Sequence, residues 1–201
     1  MPKIVDHEAR RIEIAGAALR VIARHGIRGA DLRSVAAEAG CSTGVLNHYF
    51  ADKQALLSGA LHYATENVSA QMRNLMTRRD SEFRVLALLE AGMPLDDERA
   101  ATCRIFYHFA ADGLSDPVFR SHLGEYYYWW RAAVTFAIIE DQRRGQFAGA
   151  DAHELSEILV GIAEGLGVQG IFDPARMTPD ILRRRMSQAI GKWRDRDPGT
   201  D

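Results

Sequence analysis

Residues that begin and end α-helices recur along this chain, whereas signals for β-strands are missing. Apolar residues follow a helical period nearly throughout, and no sustained alternation of apolar and polar residues occurs. Capping residues divide the pattern into segments. These helix-start and helix-stop residues are, in chain order, Gly26, Asp31, Gly40, Ser42, Asp52, Asp116, Gly145, Asp151 and Thr178. The sequence therefore predicts an all-α fold of about nine helices.

The predicted helices differ widely in length. They cover about residues 8–25, 32–39, a short stretch from 42, 53–78, 81–91, 96–112, 117–144, 152–170 and 179–193. The natural division of the chain falls in or near the fourth helix. We therefore predict a small domain over residues 1–53 and a larger helical domain over residues 54–201.

Composition narrows the class of protein. A chain of 201 residues with 47% apolar residues can bury a substantial core. No apolar run approaches the ~18–20 residues of a membrane span, and the N-terminus lacks the apolar stretch of a signal peptide. Two cysteines, Cys41 and Cys103, are too few for a disulfide framework. We expect a cytoplasmic protein with no membrane partner.

Charge is distributed unevenly along the chain. The net charge is −2, but residues 1–53 contain 8 basic and 6 acidic residues, whereas residues 54–201 contain 17 and 21. A basic N-terminal segment on an acidic body favours an anionic partner for that segment. The alternative is a chance imbalance.

Residues 32–50 have the pattern of a helix-turn-helix. Two short helices are joined by the sequence AGCS, a turn of three to four residues that contains a glycine. The apolar residues expected in the small core around these helices are Ile12, Leu19, Ile22, Val35, Val45, Leu46 and Phe50. Four residues of the second short helix then lie off the core face: Thr43, Gly44, Asn47 and His48.

Such a helix fits the major groove of DNA, which is about 12 Å wide. Gly44 allows the backbone to approach the DNA, Asn47 can pair with an adenine edge, and the Thr43 methyl group can contact a thymine methyl. Tyr49 and Lys53 lie where contacts with the DNA backbone are expected.

The stretch ADLRSVAAEAGCSTGVLNHYFADKQALL resembles the N-terminal domain of TetR-family transcriptional regulators. The residues that match the family pattern are Gly26, Val35, Ala36, Ala39, Gly40, Ser42, Gly44, Leu46, Phe50, Lys53 and Leu56. The resemblance covers about residues 8–60, and STGVLNHYF is similar to the pattern of the BetI-like branch. It implies that Arg33 and Ser42 join the DNA contacts. It also implies a C-terminal helical domain for effector binding and dimerisation, and a repressor released by a small molecule.

The stretch also departs from the family pattern. Asn47 stands where the family usually has tyrosine, and His48 precedes Tyr49 in an inverted order. Ala30 and Asp31 replace the usual Thr-Ser pair, and an aspartate repels phosphate.

The last two predicted helices carry apolar stripes. Two such helices from each of two subunits would form a four-helix dimer interface; the alternative is packing within one chain only. The predicted interface residues are Leu155, Ile158, Leu159, Ile162, Leu166, Leu182, Met186, Ala189 and Trp193.

Aromatic residues cluster in GEYYYWWRAAVTF, from Gly124 to Phe136. An aromatic cage with a carboxylate suits a cationic ligand such as an amine or a quaternary ammonium. The candidate ligand-binding residues are Glu90, Phe106, Phe109, Tyr126 and Trp130, and the alternative is that each belongs to the core.

Other chemistry finds little support in the sequence. Seven histidines form no H-x-x-x-H or Cys/His cluster, so no metal and no cofactor are predicted. GLGVQG, from Gly165 to Gly170, matches a dinucleotide-binding pattern but lacks the surrounding βαβ unit. No catalytic constellation stands out, so we expect no enzyme activity. Two alternatives to the ligand-responsive repressor remain: a DNA-binding activator or architectural protein without effector, and a helical enzyme with a vestigial head.

Overall fold

The computed structural model describes residues 7–77 and 84–194. Within them the chain forms nine α-helices and no strand, which confirms the predicted all-α fold. The helices are α1 (His7–Gly29), α2 (Leu32–Glu38), α3 (Thr43–Tyr49), α4 (Lys53–Thr77), α5 (Arg84–Glu90), α6 (Asp97–Gly113), α7 (Pro117–Gln142), α8 (Ala152–Phe172) and α9 (Pro179–Arg194).

The observed helix ends agree with the capping residues, with one correction. The first helix is predicted to stop at Gly26, but α1 resumes after a kink there and ends at Gly29. Gly26 has φ 67° and ψ 177°, a conformation that favours glycine. The kink allows one further turn, which buries Ile27. The predicted helix ends at residues 78 and 81 lie outside the described residues.

The chain divides into two compact units that do not follow the predicted boundary after residue 53. The N-terminal unit comprises the described residues of Met1–Asn67 together with Arg104–Leu123. The C-terminal unit comprises those of Val68–Cys103 and Gly124–Asp201. Three continuous helices, α4, α6 and α7, contribute residues to both units. The division into a DNA-binding and an effector-binding domain remains a prediction.

The core of the N-terminal unit is built from α1, both short helices, the first half of α4 and parts of α6 and α7. Its fully buried residues include Ile14, Ile22, Leu46, Leu61 and Phe109. Two residues predicted to fill this core lie at the surface instead: Ile12 is 42% exposed and Val45 is 43% exposed. The other two predicted residues of α1 do belong to the core, since Ile22 is fully buried and Leu19 packs against it. Ile14, Ala17 and Ala18 extend the buried side of α1 beyond the predicted residues.

Helices α5, α8 and α9 pack together in the C-terminal unit. Among the described residues, α8 alone has the length and mean hydropathy of a membrane span. It carries Glu154, Glu157 and Glu164, and one side of it is buried in the unit. Length and composition alone therefore do not make α8 a membrane span, because helices of soluble proteins can pass the same test.

Candidate functional site

Backbone geometry fixes the turn between α2 and α3. Gly40 has φ 62°, and the N–H of Cys41 donates to the carbonyl of Ala36 at 2.9 Å. The N–H of Gly40 donates to the carbonyl of Ala37 at 3.2 Å. This pair of bonds is the Schellman arrangement, in which a left-handed residue ends a helix. Glycine at position 40 therefore sets the angle at which the chain leaves α2.

The N-terminus of α3 is capped by Ser42. Its hydroxyl oxygen accepts a hydrogen bond from the N–H of Val45 at 3.2 Å. Leu46 is fully buried and Phe50 is 1% exposed, so these two residues anchor the helix. The opposite side of α3 presents Thr43, Gly44, Asn47 and His48 to solvent, as predicted from the helical period.

The exposed face of α3 includes a neighbour that sequence reasoning missed. The ring of His7, at the start of α1, lies 4.6 Å from the ring of Tyr49 and 5.8 Å from that of His48. His48 and Tyr49 are themselves 5.5 Å apart, edge to face. No sequence signal marks His7, because the contact joins residues about 40 positions apart through the fold.

Arg33 and Lys53 are the two basic residues predicted to contact DNA. Arg33 is exposed at the start of α2. The Lys53 ammonium donates to the backbone carbonyl of Arg28 at 3.4 Å. Asp31 caps α2 by accepting a hydrogen bond from the N–H of Ser34 at 2.7 Å, and this bond lowers the pKa of Asp31. Its negative charge is therefore part of the helix cap.

Glu38 ties α2 to α1. Its carboxylate accepts a hydrogen bond from Arg20 at 2.7 Å and another from Arg24. These two bonds lower the pKa of Glu38. The ion pairs orient α2, and with it the turn that leads into α3.

The predicted ligand-binding residues do not form one group. Phe109 is fully buried in the core of the N-terminal unit, where it packs edge to face on Phe119 at 5.1 Å. Neighbouring side chains enclose its ring, and the assignment of Phe109 to a ligand site remains a prediction. Phe106 packs against the same core.

Tyr126 and Trp130 lie together in the C-terminal unit, with ring centroids 5.8 Å apart. Trp130 is 1% exposed, and its indole N–H donates to the carbonyl of Leu88 at 3.0 Å. A Cβ on Gly92 would lie 2.4 Å from the indole ring. Glycine at 92 is therefore required for this close approach, and Trp130 is held in one orientation.

Glu164 is a carboxylate beside these rings that sequence reasoning also missed. Its carboxylate interacts with the hydroxyl of Tyr127, and Tyr127 stacks on Trp130 with centroids 6.4 Å apart. Burial raises the pKa of Glu164 and, together with the nearby carboxylate, that of Tyr127. The available sequence signal was a glutamate within the apolar helix α8, because a buried charge needs a partner in the fold.

Glu90 is also half-buried. Burial raises its pKa, although Arg183 lies 3.8 Å away and the Arg99 guanidinium donates to the Glu90 carbonyl at 3.2 Å. Its charge is therefore partly compensated by two arginines.

Four of the predicted interface residues are buried by this chain itself. Leu155, Leu159, Leu182 and Met186 are each at most 2% exposed. Their side chains pack within this chain, and the prediction that they contact a second subunit remains a prediction. Ile158 is 44% exposed, and the remaining predicted residues are partly buried: Ile162, Leu166, Ala189 and Trp193.

Comparison with known families agrees with this architecture. Residues 14–60 match the family of bacterial regulatory proteins, tetR family, and residues 81–193 match the BetI-type transcriptional repressor, C-terminal. The second match alone covers more than half of the chain.

The chain belongs to the TetR family of transcriptional regulators.

Relatives of this TetR-family regulator include PksA of Bacillus subtilis. The two are 31% identical over 193 residues, which are 94% of this chain and 92% of PksA. A BetI regulator of Burkholderia cenocepacia is 30% identical over 122 residues, covering 60% of this chain and 63% of BetI.

Solved structures share the fold of this TetR-family regulator. A regulator from Saccharomonospora viridis in complex with choline has a TM-score of 0.81 at 25% identity, covering 90% of this chain and 94% of that one. A regulator from Rhodococcus sp. Rha1 also has a TM-score of 0.81, at 23% identity over 91% and 95% of the two chains.

Proposed function

We propose that this TetR-family regulator is a homodimeric, cytoplasmic repressor that leaves its operator DNA when a small cationic effector binds. The exposed side of α3 is the observation that supports DNA binding. Two buried anchors, Leu46 and Phe50, hold the helix, and Thr43, Gly44 and Asn47 remain accessible. A helix held in this way presents polar groups and a bare backbone to a major groove.

The DNA contacts divide into two kinds. Thr43, Asn47 and His48 are the candidates for base edges. The candidates for the phosphate backbone are Arg33, Ser42, Tyr49 and Lys53, with Gly44 allowing close approach. Tyr49 and His48 contact His7, so the start of α1 supports this surface.

The proposed effector site lies in the C-terminal unit. Tyr126, Tyr127 and Trp130 supply aromatic faces, and Glu164 supplies a half-buried carboxylate among them. Aromatic faces and a carboxylate attract ammonium groups. The regulator from Saccharomonospora viridis was solved with choline, a quaternary ammonium compound, which supports the same ligand class here. Glu90 is the weaker candidate because Arg99 and Arg183 already face it.

The proposed dimer surface is the exposed side of α8. Ile158, Val168 and Phe172 are 44%, 38% and 77% exposed, and a Cβ on Gly161 or Gly165 would meet nothing within 4 Å. These five positions lie within about 80° of one another around the helix axis. A narrow apolar stripe with two bare glycines allows close packing of the same helix from a second copy.

Binding to DNA from the region upstream of the regulator's own gene tests the main proposal. We expect saturable, salt-sensitive binding in fluorescence anisotropy, and weaker binding when choline is added. Equal affinity for unrelated DNA sequences would contradict the proposal that the protein recognises an operator. Sequence-specific binding that no amine or quaternary ammonium changes would favour an activator or architectural protein.

Sedimentation velocity tests the dimer separately. We expect Val168→Glu to shift the protein from dimer to monomer, because it buries a charge in an apolar interface. Ser121→Glu, which adds the same charge to an exposed position of α7, should leave the dimer intact. A wild-type monomer at micromolar concentration would contradict the proposal.

A further inference from the structure

A groove of about 530 Å³ lies in the N-terminal unit and shares no lining residue with the proposed effector site. It is bordered by α1, α4, the C-cap of α3 and the start of α7. Small-molecule sites in proteins typically occupy ~300–1,000 Å³. The groove is therefore large enough for a ligand, although the family resemblance places no ligand there.

The floor of the groove is apolar. It is formed by Ile12, Ala15, Phe50 and Ala55. Ile12 is 42% exposed, whereas two other isoleucines of α1, Ile14 and Ile22, are fully buried. A ligand with an apolar body would cover this side chain and remove its surface from water.

The polar groups that border the groove and remain available to a ligand are mainly donors. Arg11 places its guanidinium over the Phe50 ring, 4.9 Å from the centroid, and forms no ion pair with any described residue. The rings of His62 and His122 lie 6.4 Å apart at the same groove. Glu8 and Glu66 also border it, but each already has an interaction within the protein. Arg11 is the one Lys or Arg among the lining residues, and no acidic side chain of the described residues pairs with it. Because Glu8 and Glu66 give the lining a formal charge of −1, an anion preference at this groove depends on direct pairing with Arg11 and not on the overall charge.

We propose that this groove is a second ligand site and that it binds an amphipathic carboxylate. The carboxylate pairs with the Arg11 guanidinium, with the imidazoles as further donors, and the hydrocarbon body lies on Ile12 and Ala55. Phe50 is the C-cap of α3. Ligand bound here lies beside the C-terminal end of the helix proposed to read DNA.

Isothermal titration calorimetry of the full chain with decanoate, decylamine and decanol tests the site and its charge preference. We expect saturable binding of decanoate, weaker binding of decanol, and a loss of decanoate affinity of about tenfold in Arg11→Gln. Ala55→Phe, which fills the floor, should reduce affinity at least as much. Arg104→Gln is the matched control, because Arg104 is an exposed arginine of α6 outside the groove.

Three results would overturn the proposal. The first is the absence of saturable decanoate binding, and the second is decanoate binding that Arg11→Gln leaves unchanged. The third is a higher affinity for decylamine than for decanoate, together with a loss of decylamine affinity in Ala55→Phe. Arg11 is exposed, so its substitution decides the matter even if Ala55→Phe fails to fold. None of these measurements depends on DNA or choline binding.

Discussion

A Cβ on Gly59 of α4 would lie 2.6 Å from Cε1 of Phe50, the residue that ends α3. Alanine within a helix gains about 0.5–1 kcal/mol over glycine, but displacing a packed ring costs about 1–3 kcal/mol. We expect Gly59→Ala to lower the melting temperature, measured by circular dichroism. Gly16→Ala is the control, because its Cβ would have neighbours at an ordinary 3.7 Å. A stabilised Gly59→Ala protein would show that Phe50 can move freely.

Ser42 allows folding and DNA binding to be separated. Ser42→Ala removes the cap of α3 and should reduce the free energy of unfolding by about 0.5–2 kcal/mol. Ser42→Asp keeps a capping oxygen but adds a negative charge beside the DNA, so it should fold normally and bind DNA weakly. Chemical denaturation and fluorescence anisotropy give the two values. Unchanged DNA affinity in Ser42→Asp would remove Ser42 from the DNA surface.

Asn47 and Lys53 should behave differently toward DNA. Asn47→Ala should reduce affinity by about 1–3 kcal/mol for operators with the preferred base and relax the preference at that position. Lys53→Ala should weaken binding to all sequences and reduce the slope of log affinity against log salt by about 1. Lys53 also bonds the carbonyl of Arg28, so the melting temperature of this variant is needed as a control. Identical behaviour in both assays would contradict the division of roles.

The Glu38 ion pairs predict a pH-dependent stability. Because Arg20 and Arg24 lower the pKa of Glu38, its ionised form stabilises the fold above its ordinary pKa of 4.5. That stabilisation is lost as the pH falls through the lowered pKa. We therefore expect the difference in unfolding free energy between the wild type and Glu38→Gln to be constant near neutral pH and to shrink below about pH 4.5. Glu13→Gln, which breaks only a one-turn pair with Arg10, should show a smaller difference.

Glu164 should control effector affinity. In the proposed effector site, a quaternary ammonium such as choline pairs with the ionised form of Glu164, whereas burial raises the pKa of this carboxylate. Affinity should therefore fall as the pH drops through this raised pKa, and Glu164→Gln should bind weakly at every pH. Calorimetric titration of choline from pH 5 to pH 8 measures both effects. Glu90→Gln is the matched control, and a larger loss in that variant would place the effector at Glu90 instead.

Most of the fold could be predicted from local sequence because capping residues act over three or four positions. Asp31, Ser42 and Asp151 each accept the backbone hydrogen bonds that their positions suggested. Burial was harder to predict. Ile12 and Leu155 both fit an apolar stripe, but only the fold decides that the first is exposed and the second enclosed.

The candidate sites were predictable to different degrees. The exposure of Thr43, Gly44, Asn47 and His48 follows from helical period, since Leu46 and Phe50 define the opposite side, but the exposure of Val45 does not. The contacts of His7 with Tyr49 and of Tyr127 with Glu164 join distant parts of the chain. No spacing rule relates such residues, so an aromatic cluster in the sequence could not identify its carboxylate.

Because α4 passes from one compact unit into the other without interruption, the DNA-reading part cannot be excised as a continuous fragment. Leu56, Leu57, Ala60 and Leu61 belong to the N-terminal core, as do Ile105 and Leu123 from much later in the chain. A fragment ending at residue 53 would lack all six. A hybrid regulator that takes its DNA-binding part from a relative therefore has to keep these later segments together with residues 1–53. Joining two proteins at a single point after residue 53 would separate them.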